Sequence, residues 1–321
     1  CELDVENLGL VEARCDVYAG IIFACWAEDA PTLEEYLGDA RYYLDVRYNR
    51  RDIGQQAIGP VKWPLAVNWK TPVDNASDNY HAPLSHFSAV SAAAQRRGER
   101  RPSAALLSDR FDSPSRHLYL NGHSLTLRIV EEKAGFHAVS TGGDEQAIEK
   151  FRKDTLPEVE RRLGEFRARK LQLGNHSFFP NTFLGLRFAL PRGPMKTEAW
   201  SFVLYDKDAP EAVILANRLL MEQKDNLSGI FEQDDTDNWR QMTDSGRLMM
   251  GRKYVSNLTM GIGHAGPSKD FKGVVAEQFI SESNQRHYYA RWQEMMNANS
   301  WADIKIDPIT IEFEGTATLR G

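Results

Sequence analysis

Apolar and polar positions alternate in several short stretches of this chain, which is the pattern of half-buried strands. Residues 10–26 alternate and then run apolar, so the part from 19 to 26 is predicted to form a buried strand. At 118–129 two strand-like stretches flank the Asn-Gly pair at 121–122, which favours the tight turn of a hairpin. Further strands are predicted at 200–204 and, closing the chain, at 309–313.

Helical spacing of apolar residues predicts several other elements. The stretch 32–37 opens with a capping-box pattern, in which Thr32 is followed three residues later by Glu35. The stretch 145–171 places its apolar residues on one face, and Pro157 suits the first turn of a helix there. Further helices are predicted at 210–223 and 282–297.

The order of these elements predicts an α+β fold. Many antiparallel-looking strands alternate with a few helices, without the strand–helix–strand rhythm of a parallel sheet and without an internal repeat. The interval 92–116 is rich in Arg, Ser, Ala and Gly, and we interpret it as a solvated surface segment.

Composition limits the class of protein. The chain has 321 residues, 42% of them hydrophobic and 26% charged, which is ordinary for one large globular domain or two small ones. The net charge of −6 and the lack of a basic block argue against a nucleic-acid partner. No apolar run approaches the roughly 18–20 residues that span a bilayer, so no membrane association is expected.

The cysteine count and the first residues bear on location and completeness. The chain has three cysteines: Cys1, Cys15 and Cys25. A small and odd number of cysteines argues against a disulfide framework and fits a reducing cytoplasm. The chain opens without an initiator Met or a signal peptide, so we expect it to begin partway through a longer polypeptide.

The most informative chemistry is a pair of imidazoles five residues apart. Two histidines and one distant carboxylate make the facial triad of non-haem Fe(II) oxygenases, and Asp234 and Asp235 both offer the carboxylate. Five residues of regular helix turn a side chain by a net ~140°, so His81 and His86 would not share one helix face. A helix broken at Pro83 could turn both imidazoles toward one centre.

Motifs along nearly the whole chain resemble one family. They are Tyr-Leu-Gly-Asp at 36–39, Asn-Trp-Lys at 68–70, Asp-Asn-Tyr-His at 78–81, Asn-His-Ser-Phe-Phe-Pro-Asn at 175–181, Asp-Lys-Asp-Ala-Pro at 206–210, Phe-Glu-Gln-Asp-Asp at 231–235 and Ser-Trp-Ala at 300–302. Taken together they resemble the catalytic domain of Rieske-type aromatic ring-hydroxylating dioxygenase α subunits.

The resemblance implies a set of site residues. It makes His81, His86 and Asp235 the iron ligands, because the second of the two adjacent carboxylates binds in the family pattern. It makes Asp78 the aspartate that links the iron site to a Rieske-cluster histidine on the neighbouring subunit. It places Asn75 near the iron, although an asparagine that caps backbone is an alternative.

The resemblance also implies a substrate pocket inside a helix-grip (TBP-like, START-like) fold, an antiparallel sheet with helices around a hydrophobic cavity. Positions that match pocket residues are Ala76, Ala82, Asn175 and Phe231. Asp225 falls where relatives place an aromatic residue. If it lines the cavity, the substrate carries a polar or cationic substituent, but a solvated helix end is the alternative.

The activity that the resemblance implies is cis-dihydroxylation of an aromatic substrate with O2 at Fe(II). Electrons would come from NADH through a reductase, a ferredoxin and a [2Fe–2S] Rieske cluster, in an α3 or α3β3 assembly. No Cys-x-His or Cys-x-x-His pattern occurs, so residues 1–321 are expected to be the iron catalytic domain without the Rieske domain.

Other classes fit less well. A non-catalytic module that binds a hydrophobic ligand in the same fold remains the alternative. A zinc protease would carry His-Glu-x-x-His, which is absent. A 2-oxoglutarate oxygenase would place a His-x-Asp pair first and its second histidine far downstream, which is the reverse of the order in this chain.

Overall fold

A computed structural model describes residues 8–77, 79–96, 115–131, 144–254 and 256–305. The helices are α1 (Leu33–Leu37), α2 (Arg41–Tyr48), α3 (Lys70–Asn75), α4 (Ala82–Ser85), α5 (Phe87–Arg96), α6 (Glu145–Leu163), α7 (Glu211–Lys224), α8 (Ile230–Ser245) and α9 (Ser283–Asn297). The strands are β1 (Arg14–Tyr18), β2 (Ile21–Cys25), β3 (Gln55–Leu65), β4 (Arg116–Leu120), β5 (His123–Ile129), β6 (Leu171–Phe178), β7 (Thr182–Phe183), β8 (Leu186–Gly193), β9 (Lys196–Asp206), β10 (Ala265–Pro267) and β11 (Val274–Ala276).

One large antiparallel sheet organises the described residues. Its strands follow the order β10-β11-β4-β5-β6-β7-β8-β9-β3, and β1 and β2 form a separate hairpin. Helix α9 packs across β4 and β5, while α3 packs against β7, β8 and α8. The predicted mixed α+β architecture with a mainly antiparallel sheet is confirmed.

Both faces of the sheet are covered along the first five residues of β5. Leu125 and Leu127 join a core cluster with residues of α1 and α2. The alternate residue Ser124 is fully buried as well, and its Oγ lies 3.1 Å from Ser77 Oγ and 2.7 Å from Ser177 Oγ. Because successive side chains of a strand point to opposite faces, neither face of β5 meets solvent over residues 123–127, whereas Arg128 and Ile129 at its end are exposed.

Local turn and capping signals are confirmed. Thr32 caps α1 and forms the reciprocal capping box with Glu35. The hairpin turn between β4 and β5 has positive φ at Asn121 (49°) and Gly122 (85°), as the Asn-Gly pair predicts. A Cβ atom at Gly122 would approach Arg291 Cγ to 2.6 Å, so this turn needs glycine for space as well as for conformation. The helices predicted at 210–223 and 282–297 are α7 and α9.

The prediction of one buried strand over 19–26 is wrong. Ala19 and Gly20 adopt positive φ (50° and 81°) and turn the chain back, which divides the apolar run between β1 and β2. The hairpin buries only one face, so Ile22 and Trp26 are 72% and 69% exposed. An unbroken apolar run concealed a turn that lacks the usual Asn-Gly signal.

The prediction of a helix over 145–171 is wrong at its end and in the position of its proline. Pro157 lies inside α6 rather than in its first turn, because the helix begins twelve residues earlier, with Asp144 as its cap. The chain leaves the helix at Gly164 (φ 80°), passes through a π-helical turn at Phe166–Lys170 and enters β6. Apolar spacing that happens to continue across Gly164 hid this break.

Only the two ends of the interval 92–116 are described, so the solvated surface segment stays a prediction for the rest of it. Helix α5 continues to Arg96, and β4 begins at Arg116 beside the buried Ser115. Residues 97–114 and the predicted closing strand at 309–313 lie outside the described residues. No helix of the described part is long and apolar enough to cross a membrane.

A buried guanidinium joins three elements near the end of β9. Arg51, 8% exposed, follows α2 and donates from Nε to Glu158 on α6 at 2.8 Å. Its Nη2 donates to Asp208 at 2.8 Å, and its Nη1 lies 3.4 Å from Asp206 at the end of β9. One cation therefore compensates carboxylates from two separate parts of the chain.

Replacing this cation should destabilise the fold. Arg51→Met leaves three carboxylates without their shared partner, so the free energy of unfolding in urea should fall by about 2–3 kcal/mol. The Arg51 hydrogen bond also lowers the pKa of Asp208, a stabilisation present above the ordinary pKa and lost as the pH falls through the lowered one. The variant should therefore lose less stability on acidification than the parent.

Arg161→Met, at a 63% exposed ion pair with Asp52, is the control and should change stability by under about 1 kcal/mol. Equal effects of both variants would contradict this account.

Candidate metal centre

The two histidines stand at the two ends of one short helix. His81 is the N-cap and His86 the C-cap of α4, which is four residues long and carries Pro83 in its first turn. A proline in the first turn displaces no helical hydrogen bond. Because the helix ends at His86, the two side chains need not follow the rotation of a longer regular helix. Their ring centroids lie 5.5 Å apart.

A carboxylate from a distant helix meets both imidazoles. Asp235 on α8 is 4% exposed, and its Oδ1 lies 3.2 Å from His86 Nε2 and 3.8 Å from His81 Nε2. One donor atom from each of the three residues lies within 4.8 Å of the other two. Neighbouring ligands of a six-coordinate ion with bonds of about 2.1 Å lie about 3 Å apart, so this spacing is close to that of a coordination site.

The donor atoms themselves favour a bound cation. Asp235 Oδ1 is buried and accepts no hydrogen bond from any described residue, although it lies beside two imidazole nitrogens. A buried carboxylate oxygen without a partner is costly, and a metal ion between it and the imidazoles would remove that cost. Two neutral imidazoles and one carboxylate suit Fe(II). The residues present therefore fit a mononuclear iron site.

The neighbouring carboxylate has a different position. Asp234 Oδ2 lies 3.2 Å from His86 Nδ1, on the side of the ring away from Asp235. Since Nδ1 then carries the proton and donates it to Asp234, Nε2 keeps the lone pair that a metal needs. The sequence offered Asp234 only as a rival ligand, and its orienting contact was not predicted.

Residues on α3 and α4 surround this centre. Asn75, at the end of α3, places its side-chain nitrogen 3.5 Å from His81 Nε2. Ala82 opens α4 directly after His81, whereas Ala76 is fully buried in a core cluster with Val73. The predicted bridging residue Asp78 lies outside the described residues.

The other predicted pocket residues come from β6 and from the α7–α8 connection. The ring of Phe231 stacks on His86 at a centroid distance of 4.4 Å with 14° between the planes. Asp225 caps α7 and pairs with Lys224 at 3.1 Å. Asn175 lies half-buried in β6, and its carbonyl oxygen accepts a hydrogen bond from Thr126 Oγ1 at 3.2 Å. Phe231 thus directly contacts a proposed ligand.

A buried ion pair supports the first turn of α8. Glu232 lies three residues before Asp235 and accepts a 2.5 Å hydrogen bond from Arg187 Nη2 on β8, with both side chains at most 3% exposed. The Arg187 guanidinium lies 4.7 Å from the centroid of Phe183 and 5.6 Å from that of Trp63. Burial raises the pKa of Glu232 to about 7, and the Arg187 charge opposes that shift.

Sequence reasoning missed this pair, although helix phase contains a signal for half of it. Glu232, Asp235 and Trp239 recur at helical spacing, and all three are buried. That face of α8 therefore points into the protein. Nothing in the sequence indicates that Arg187 is the partner, because the two residues meet only through packing of α8 on the sheet.

Removing the cation of this pair should affect both the fold and the metal site. Arg187→Met leaves the Glu232 carboxylate buried without a partner, so the free energy of unfolding in urea should fall by roughly 3 kcal/mol. Since Asp235 is one helical turn away, the affinity for Fe(II) measured by anaerobic titration should fall as well. Arg192→Met, on the same strand but at a 49% exposed ion pair, should leave both quantities nearly unchanged. Unaltered stability and affinity in Arg187→Met would show that the pair does not support the site.

Comparisons with known proteins show which family the chain belongs to. The family described as ring hydroxylating alpha subunit, catalytic domain, matches residues 33–298. The biphenyl dioxygenase subunit alpha of Paraburkholderia xenovorans (strain LB400) is 31% identical over 324 residues, which cover 95% of this chain and 67% of that protein. The benzene 1,2-dioxygenase subunit alpha of Pseudomonas putida is 29% identical, covering 94% of this chain and 68% of its own length.

Solved structures show the same relationship. Naphthalene 1,2-dioxygenase with indole bound in the active site superposes with a TM-score of 0.78 and 25% identity, over 94% of this chain and 68% of that one. The naphthalene 1,2-dioxygenase of Rhodococcus sp. bound to indole gives a TM-score of 0.72 and 28% identity, over 89% and 67%. The chain thus spans about two thirds of the length of these relatives. It belongs to the family of Rieske-type aromatic ring-hydroxylating dioxygenase α subunits and matches their catalytic domain.

Proposed function

We propose that this chain is the catalytic part of an oxygenase that cis-dihydroxylates an aromatic substrate with O2 at a mononuclear Fe(II). The observation that carries the proposal is the buried, unpaired Asp235 Oδ1 beside two imidazole nitrogens, in a chain of this family. When bound, Fe(II) would supply the redox chemistry with O2 and leave coordination positions open. The proposed ligands are His81, His86 and Asp235.

The surrounding side chains have separate tasks in this proposal. Asp234 holds the proton on His86 Nδ1 and so keeps Nε2 available to the metal. Phe231 covers the face of the His86 ring, excludes water from it and offers an apolar boundary to the substrate. Asn75 lies close enough to His81 Nε2 to contact a ligand beside the metal.

The wider system is part of the proposal. Relatives are named as biphenyl and benzene dioxygenases, which supports an aromatic substrate here. We extend the family pattern to a helix-grip fold with a hydrophobic cavity, to electrons from NADH through a reductase, a ferredoxin and a [2Fe–2S] cluster, and to an α3 or α3β3 assembly in the cytoplasm. Asp78, three residues before His81, is the proposed link to the cluster of the neighbouring subunit.

Iron retention tests the ligand assignment. Protein purified without oxygen and supplied with Fe(II) should hold about one iron per chain, and Asp235→Ala should retain little or none, because two imidazoles alone bind weakly. Asp234→Asn should keep the site but weaken it roughly 10- to 100-fold, the usual effect of losing an orienting partner. Asp237→Asn, exposed on the same helix, is the control and should bind like the parent.

Two results would contradict the proposal. Full iron retention by correctly folded Asp235→Ala would remove the carboxylate from the ligand set. A parent protein that binds no iron but does bind aromatic compounds would instead support the non-catalytic binding module.

Asp78 calls for a readout that separates electron delivery from metal binding. In the complete oxygenase with its electron donors, Asp78→Asn should keep the iron content of the parent and lose most of its product formation. Direct single turnover with a pre-reduced cluster should slow by a similar factor. Loss of iron with Asp78→Asn would indicate a role at the metal, and normal turnover would exclude the proposed link.

A further inference from the structure

The last turn of α3 leads directly into the proposed iron site. Helix α3 has only six residues, and a helix of that length is not stable alone, so tertiary contacts must fix where it ends. Asn75 in that turn reaches to 3.5 Å from His81 Nε2, the nitrogen that faces Asp235 Oδ1. The chain then arrives at His81 four residues after Ser77. A shift of this turn would therefore move groups at the metal centre.

Ser77 closes the turn with hydrogen bonds to its own helix. Its backbone N–H donates to the carbonyl of Asp74 at 2.9 Å, and its Oγ donates to the carbonyl of Val73 at 3.1 Å. The same Oγ accepts a hydrogen bond from Ser124 Oγ on β5 at 3.1 Å. Ser77 is fully buried, so its own carbonyl oxygen needs a donor from another element.

Asn284, in the first turn of α9, supplies that donor. It is fully buried, and its Nδ2 donates to the Ser77 carbonyl at 2.8 Å and to the Leu125 carbonyl on β5 at 3.0 Å. Both partners are acceptors, so only the NH2 group of the amide can face them, and the orientation of the side chain is fixed. Directional hydrogen bonds of this kind specify a position that apolar packing alone would leave free to slip.

Tyr289 holds the same turn on the other side of Asn75. Its phenol donates to Asp74 Oδ2 at 2.9 Å, and Asp74 is only 8% exposed. Burial, followed by the charge of Asp74, raises the pKa of Tyr289, so the phenol keeps its proton and remains a donor at neutral pH. Helix α9 thus binds the residue before Asn75 and a residue shortly after it.

We propose that Asn284 and Tyr289 are positioning residues of the metal centre. They hold the last turn of α3 from α9, and so set where Asn75 lies beside the metal and where the chain to His81 starts. Both act through residues 74–77 rather than through the metal. The inference rests on the proposed function, because it assigns the two residues to the placement of groups around the proposed ligands.

Cobalt(II), titrated without oxygen into the 321-residue protein, tests this role. Co(II) accepts imidazole and carboxylate donors, and its visible absorption depends on the geometry of its ligands. Asn284→Leu removes both donors at similar volume, so it should weaken Co(II) binding roughly tenfold or more and change the visible bands. Tyr289→Phe removes one donor and should change the bands with a smaller loss of affinity.

Matched controls separate positioning from stability. Tyr43, fully buried in the other core cluster, also makes two hydrogen bonds to backbone, since its hydroxyl donates to the carbonyl of Lys272 and accepts from its N–H, both at 2.9 Å. Tyr43→Phe should lower the melting temperature about as much as Asn284→Leu and keep the Co(II) affinity and bands of the parent. Tyr288→Phe, beside Tyr289 but with its hydroxyl 3.5 Å from the carbonyl of Pro180, should bind Co(II) like the parent.

The outcomes separate this inference from the proposed function. Parent-like affinity and bands in folded Asn284→Leu and Tyr289→Phe would overturn the positioning role and leave the oxygenase proposal intact. Equal weakening by Tyr43→Phe would show that lost stability alone disturbs the site, which also overturns the role. If Asn284→Leu does not fold, the comparison of Tyr289→Phe with Tyr288→Phe decides. A parent protein that binds neither Co(II) nor Fe(II) would overturn both proposals.

Discussion

The constraint on which the structure depends is a carboxylate charge held in the protein interior next to two imidazoles. Asp235 comes from the middle of α8 and the histidines from the two ends of α4, about 150 residues apart in the chain. A buried anion is stable only when a cation or several donors compensate it. Helices α4 and α8 bring these donors to one point, where a bound metal ion would compensate Asp235.

The neighbourhood distributes charge by giving each ionised group its own partner. On α8 alone, Glu232 binds Arg187, Asp234 contacts His86, and Asp235 faces the imidazoles. These carboxylates repel one another, and each is separated from the next by helix phase and by a different partner. This arrangement allows three carboxylates to lie close together on α8. Of these three, Asp235 is the one that faces both imidazoles and could bind a metal with them.

Much of the local structure could be predicted because local interactions determine it. The capping box of Thr32 and Glu35 and the Asn-Gly turn at 121–122 depend on residues within one turn of each other. The errors arose where periodicity continued across a break. The apolar run at 19–26 crosses the Ala19-Gly20 turn, and the helical spacing before 171 crosses Gly164. In both cases the hydrophobic pattern reports which side chains can be buried and does not report where the backbone turns.

The sequence by itself determined the kinds of chemical group present, the helical and strand periodicities, and, through its motifs, the family. It left open which of Asp234 and Asp235 faces the histidines, whether the His81–Pro83–His86 spacing could converge, and which residues partner Glu232 and Asp225. Tertiary structure decided the positions of these groups, because each contact joins residues from different elements of the sheet and its covering helices. The phase of α8, set by burying Trp239 and Glu232, turns Asp235 inward and leaves Asp234 beside the outer nitrogen of His86. A spacing in sequence cannot contain that choice, since it depends on which face of the helix the rest of the protein covers.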